Sequence, residues 1–235
     1  MSVLRTPSEA IVEGKDERIS QRLLWAGVIV PLLFATIFTI DGALTPGYSA
    51  YNEAISYLDL GTYGWIQRAN FIILGLLLLA FTIGYRRQIR PLLEGAWLSI
   101  VTSLFVLSNL GWIMTGVFGP NTYLAPQNSG YALLHQIASI VVFLPFALAL
   151  MVQGIKLFIT RGWRLYGVYS FLLGIIQAIF PIGTTVYFIN PGIVGNVNSP
   201  GSGLFNRIAL GIGPLSWYII LGIILLVRSR ARRSQ

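Results

Sequence analysis

The chain has 235 residues, 55% hydrophobic and 10% charged, with a mean hydropathy of +0.72; soluble domains carry about 25% charged residues, so this composition points to a membrane solvent. With no cysteine and one histidine, disulfides, thiolate metal sites, cysteine nucleophiles and bis-histidine haem ligation in a monomer are excluded. The net charge of +8 is no nucleic-acid signal, because the basic residues flank apolar runs instead of forming a patch.

Residues 1–21 mix Glu9, Glu13, Asp16 and Glu17 with Arg5, Lys15 and Arg18. That mixture, and the length of the apolar run behind it, argue against a secretory signal peptide and for a cytoplasmic segment ending in an interfacial helix turn at Lys15–Arg22. A membrane-crossing helix needs roughly 20 predominantly apolar residues. Six windows reach that length, at about 22–43, 65–84, 93–117, 131–157, 163–189 and 204–227. The expected fold is therefore all-α: a six-span transmembrane domain over residues 22–228 with a basic tail at 229–235. Turn chemistry separates the spans at Thr45-Pro46-Gly47, Arg90-Pro91, Gly119-Pro120-Asn121, Arg161-Gly162 and Asn190-Pro191-Gly192.

Orientation follows from the basic residues. Arg5, Lys15, Arg18 and Arg22 precede or open the first span, and Arg86, Arg87 and Arg90 fill the second connection. Lys156, Arg161 and Arg164 surround the fourth, while Arg228, Arg230, Arg232 and Arg233 follow the last span. This pattern places both termini in the cytoplasm and predicts three outward hairpins in a plasma membrane, with a prokaryotic one as the default because no eukaryotic targeting signal is present.

Two basic residues break the pattern. Arg68 and Arg207 lie just inside the outer ends of the second and sixth spans, and His135 holds the matching place on the fourth. Asp41 lies near the outer end of the first span, with Glu53 and Asp59 in the first outer loop. Asn70, Asn109, Trp112, Thr115, Gln136, Thr184, Tyr187 and Asn206 extend this polar layer. Asn109 is about eight residues from its helix end, roughly 12 Å deep. Ionisable groups inside spans usually face a bundle interior or a wet cavity, so the layer predicts an outward-open pocket lined by Arg68, Asn70, Asn109, Trp112, His135 and Arg207. The competing reading is that the arginines snorkel to headgroups or pair with Asp41 and Glu53 as structural ties. His135 serves either as an acid or base or simply as a hydrogen-bonded helix-start residue. No metal is expected from one histidine and no cysteine, although a carboxylate cation site of Asp41, Glu53 and Asp59 stays open. Pro145, Pro181 and Pro214 interrupt the last three spans and either open a cavity or reflect the ordinary tolerance of membrane helices for proline. Gly167, Gly174, Ala209 and Gly213 are expected at close helix contacts.

Several outer motifs carry a resemblance. Pro46-Gly47-Tyr48-Ser49 through Asn52, then Ile55-Ser56-Tyr57-Leu58, resembles the first outer loop of the six-span membrane family known as domain of unknown function 998. Gly116-Val117-Phe118 followed by His135, and Gly203-Leu204-Phe205-Asn206-Arg207-Ile208 leading to Trp217, fit the same family in order and spacing. The resemblance covers most of residues 22–228 and implies a fold but no activity. Gly119-Pro120-Asn121 departs from it, since a Pro-acid step is expected there. The first loop is also similar to that of six-span eukaryotic proteins linked to lipid remodelling, which implies lipid as a partner.

Three functions follow as expectations. The first is a binder of membrane lipid or a small amphiphilic, anionic ligand in the outer leaflet. The second is a membrane enzyme on such a substrate, with His135 as acid or base and Asp41 or Glu53 as its partner. The third is a small-solute transporter or channel. Cofactors are not expected: there is no P-loop or dinucleotide fingerprint, and both lysines, Lys15 and Lys156, sit at cytoplasmic edges, unsuited to carry a retinal Schiff base.

Overall fold

A computed structural model of the chain describes residues 7–120, 130–189 and 200–231, with side chains described from residue 17 onward except at 180–189 and 230–231. Helices α1 (Pro7–Leu44), α2 (Gly64–Ile89), α3 (Gly95–Val117), α4 (Gly130–Phe158) and α5 (Arg164–Ile189) are followed by α6 (Ser202–Leu210) and α7 (Ser216–Ala231). A 3-10 turn spans Ile55–Leu60, and a π-helical segment, Gly211–Leu215, joins α6 to α7. There is no strand among the described residues. Helices satisfy their backbone groups internally, as lipid demands.

Five segments are long and apolar enough to cross a membrane: Glu17–Leu44, α2, α3, α4 and the combined run Ser202–Ser229. Helix α5 covers 26 residues, and the part with described side chains, Arg164–Ile179, is apolar as well. Ile29, Leu32, Leu76, Leu107, Ile176 and Ile223 face outward, a surface suited to lipid and not to water.

Each helix from α1 to α4 packs against the next, and α7 returns against α1 with a smaller contact to α2. Close approach depends on missing side chains. A Cβ on Gly75 would lie 2.7 Å from the Asn109 carbonyl oxygen, and one on Gly111 2.7 Å from the Val142 amide nitrogen. Gly167 and Gly174 sit against α4 in the same manner. Inside the bundle, Phe81, Tyr85, Phe105, Phe146, Trp217 and Tyr218 form a buried aromatic cluster. Edge-on pairs such as Phe146–Trp217, at 5.5 Å and 89°, add about 0.5–1.5 kcal/mol each beyond simple burial.

The basic connections meet at one end of this bundle. Gln21 donates to Ser229 Oγ at 3.0 Å, the Ser20 carbonyl faces Gly84, and Arg228 donates to the Gly162 carbonyl at 3.3 Å while stacking over Trp163. The first connection lies at the opposite end, against the start of α6.

Helix α1 begins at Pro7, so the helix turn expected at Lys15–Arg22 is part of one helix continuous with the first span. The last span is broken: Gly213 has non-helical angles, φ −80° and ψ −109°, just before Pro214, which has no amide to donate. Gln177 of α5 donates to the Ala209 carbonyl at 3.1 Å, and Ser216 Oγ to those of Ile212 and Gly213, supplying donors where the helical ladder fails. Pro145 lies inside an uninterrupted α4, as does Pro31 inside α1. The side chains of Pro181, Thr184 and Tyr187 lie outside the described residues.

Candidate functional site

The first connection folds onto α6. Leu204 N donates to the Tyr51 carbonyl at 3.0 Å, and Gly201 N to Asn52 Oδ1 at 3.3 Å. Ser202 Oγ donates to the Asn52 carbonyl at 2.5 Å, and Ile55 N to Asn206 Oδ1 at 3.2 Å. Gly203 is what lets the two segments touch, since a Cβ there would lie 2.4 Å from the Glu53 carbonyl oxygen.

Arg207 completes this seam. Its Nη1 donates to the carbonyls of Glu53 at 2.9 Å and Gly203 at 3.0 Å, and its Nη2 donates to Tyr48 Oη. The guanidinium also lies over the Phe38 and Tyr48 rings, 5.8 and 5.6 Å from their centroids. Tyr48, in the connection, has its phenol pushed above the usual value by burial, with Arg207 opposing that shift. The Glu53 side chain accepts from Ser49 N at 2.8 Å. Arg207 is thus engaged as a tie between the first connection and α6.

Four further residues of the predicted pocket lie in or against the packed core. Asn109 is fully buried and continues a chain of donors: Tyr218 Oη donates to Asn109 Oδ1 at 2.8 Å, and Asn109 Nδ2 to Thr82 Oγ1 at 3.0 Å. Asn70 donates to the Phe34 carbonyl at 3.1 Å and to Gln67 Oε1 at 3.2 Å. Trp112 packs among Phe34, Phe71 and Phe143. His135 is buried at the start of α4, with Nδ1 2.7 Å from the Phe118 carbonyl oxygen, just past the end of α3. That carbonyl accepts no bond from a continuing helix, so the imidazole serves as its donor.

The groups left unsatisfied lie elsewhere. Asp59, in the 3-10 turn, is 4% exposed, and neither of its carboxylate oxygens has a hydrogen-bond partner. Asp41 Oδ2 on α1 and Gln67 Nε2 on α2 are likewise buried and unpartnered. Desolvation pushes the Asp59 carboxyl up to about 8; Arg68 pulls it down and Asp41 pushes it further up. Arg68 itself is exposed. A Cβ on Gly119 would lie 3.1 Å from its Nη2, so the guanidinium reaches across the end of α3. The structure therefore gathers Asp59, Asp41 and Arg68, while Asn109, Trp112, Asn70 and His135 are engaged in packing and hydrogen bonds.

Chemically, such a rim offers a hydrogen-bond acceptor that is costly to leave unmet beside an exposed cation. Among the described residues, no group of three or more His, Asp or Glu is placed to hold a metal ion. Sequence reasoning missed Gln67 and Tyr218. Gln67 gave the same signal as Asn70, a polar residue in an apolar window, whereas Tyr218 is indistinguishable in sequence from an interfacial anchor.

Residues 28–224 match the model of a family described as Protein of unknown function (DUF998). No curated protein and no solved structure matches the chain.

Proposed function

The chain belongs to the DUF998 family, and with that fold as the premise we propose that it is a six-span plasma-membrane protein that binds the polar end of a lipid or small amphiphile in the outer layer. The observation behind this reading is the buried Asp59 carboxyl with both oxygens unpartnered, next to the exposed Arg68. Leaving such a group unmet costs about 1–3 kcal/mol. A ligand that offers a hydrogen-bond donor or ammonium to Asp59 and an anionic group to Arg68 removes that cost. Apolar faces of α2 and α3, including Ile73, Leu76 and Leu110, are exposed beneath the rim to meet a hydrocarbon chain.

Cytoplasmic termini and three outward hairpins belong to the same reading. Their support is the gathering of the basic connections at one end of the bundle, which the positive-inside rule assigns to the cytoplasm. Binding is preferred to catalysis because His135 is engaged by the Phe118 carbonyl and Glu53 by the Ser49 amide.

Native mass spectrometry from mild detergent tests the proposal. A discrete adduct on the wild type that is lost in Arg68→Ala/Asp59→Asn supports it, and the adduct mass gives the ligand class. The same unselective lipids on both proteins would sink it.

A further inference from the structure

At the opposite end of the bundle, between α2 and α3, the surface opens into a groove of about 840 Å3. Arg86, Arg87 and Arg90 line its mouth, and Ile83, Leu98 and Val106 line its length. From Gly95 to Val106 the wall follows α3 for about 16 Å, much of an acyl chain's reach into one leaflet. Ile83 is 52% and Val106 37% exposed, so the groove is open to the hydrocarbon.

Three features make the mouth a site for an anion. The lining carries three arginines against a single acid, Glu94. None of these arginines is held in an ion pair or side-chain hydrogen bond by another described residue, in contrast to Arg207 and Arg228. Helix α3 also begins here, and its N-cap residue Glu94 makes no side-chain capping bond. The partial positive charge of the helix start therefore adds to that of the guanidiniums.

We propose that this groove holds an anionic phospholipid, with its phosphate on Arg86, Arg87 and Arg90 and an acyl chain along Ile83, Leu98 and Val106. Charge complementarity selects an anionic lipid over a zwitterionic one, since each arginine near a membrane surface favours anionic lipid roughly fivefold. Guanidiniums suit phosphate because they donate in a planar fork. The site is independent of the Asp59–Arg68 rim, because no residue is shared and the two lie at opposite ends of α2.

The test is a titration of detergent-purified protein with phosphatidylglycerol or with phosphatidylcholine of the same chains, read by native mass spectrometry. The wild type is expected to prefer phosphatidylglycerol, and Arg86→Gln/Arg87→Gln/Arg90→Gln to lose on the order of ten- to a hundredfold of that preference. Arg22→Gln/Lys156→Gln/Arg161→Gln removes equal charge away from the groove and is expected to retain it. Ser99→Trp keeps every charge but fills the groove from its exposed lining, and is expected to weaken phosphatidylglycerol binding too. Equal loss in both charge variants, or full binding by Ser99→Trp, overturns the proposal. So does a wild type with no preference. None of these outcomes bears on the Asp59–Arg68 rim, whose own variants leave these arginines intact.

Discussion

Arg207 donates to the main-chain carbonyl of Glu53 at 2.9 Å, across 154 positions of sequence, so the tie between α6 and the first connection does not depend on the Glu53 carboxylate as its acceptor. Arg207→Ala is expected to lower stability by about 1–3 kcal/mol, because a charge-assisted donor to part-buried acceptors is lost. Arg207→Lys is expected to recover little, since an ammonium cannot fork between the Glu53 carbonyl and Tyr48. Glu53→Gln should be far milder. Thermal unfolding in detergent decides it: damage from Glu53→Gln equal to that from Arg207→Ala would mean a side-chain ion pair is the real tie.

The Asp59 carboxyl gives a pH dependence with a definite sign. Its folded value is raised to about 8 from an unfolded 3.8, so the folded state holds a proton that the unfolded chain releases between those values. Its contribution to stability is fully present below the unfolded value and is lost as pH rises through about 8. The wild-type melting temperature in ligand-free detergent is expected to fall from about pH 5 to about pH 9. Asp59→Asn should flatten that slope, with the neighbouring charges of Arg68 and Asp41 left in place. A slope unchanged in Asp59→Asn would assign the titration to another group.

Helices were legible in the sequence because lipid imposes one simple rule, about twenty apolar residues bounded by turns and arginines. The motifs carrying the family resemblance also proved spatially coherent: Tyr48 and Asn52 meet Ser202 to Arg207, and His135 meets Phe118. Less legible was which polar residue is spare and which is spent. Asn109 and Asp59 are both buried polar groups, yet Asn109 finds Tyr218, 109 positions away, and Asp59 finds no hydrogen-bond partner. Partners that distant depend on tertiary packing, and spacing along one helix does not encode them. The break at Gly213 was suggested by its proline neighbour, but the Gln177 side chain that serves it lies on another helix.

The Tyr218–Asn109–Thr82 chain should behave as a structural unit. Tyr218→Phe and Asn109→Ala each leave a buried group without its partner, and each is expected to destabilise the protein while leaving lipid adducts unchanged. Interhelical hydrogen bonds in membranes average only about 0.6 kcal/mol, with a ceiling near 1.7, because the unfolded chain in lipid also finds partners. The coupling in a double-mutant cycle should fall in that range, the double variant losing less than the sum of the singles. Strict additivity would show that the hydrogen bond contributes nothing to stability.

The native chain has no cysteine, so single substitutions can report topology without background. Tyr51, exposed in the first connection at 56%, and Arg161, exposed between α4 and α5, lie at opposite ends of the bundle. If the arginine-rich end faces the cytoplasm, Tyr51→Cys reacts with a membrane-impermeant maleimide in intact cells, and Arg161→Cys reacts only after permeabilisation. Leu133, 62% exposed near the start of α4, sits in the outer part of the bilayer in this arrangement, so Leu133→Cys should resist the reagent in both states. Labelling of Arg161→Cys in intact cells, with Tyr51→Cys protected, would invert the protein. The Asp59–Arg68 rim would then face the cytoplasm, and the arginine groove would lie in the outer leaflet, against the charge rule that places arginines inside.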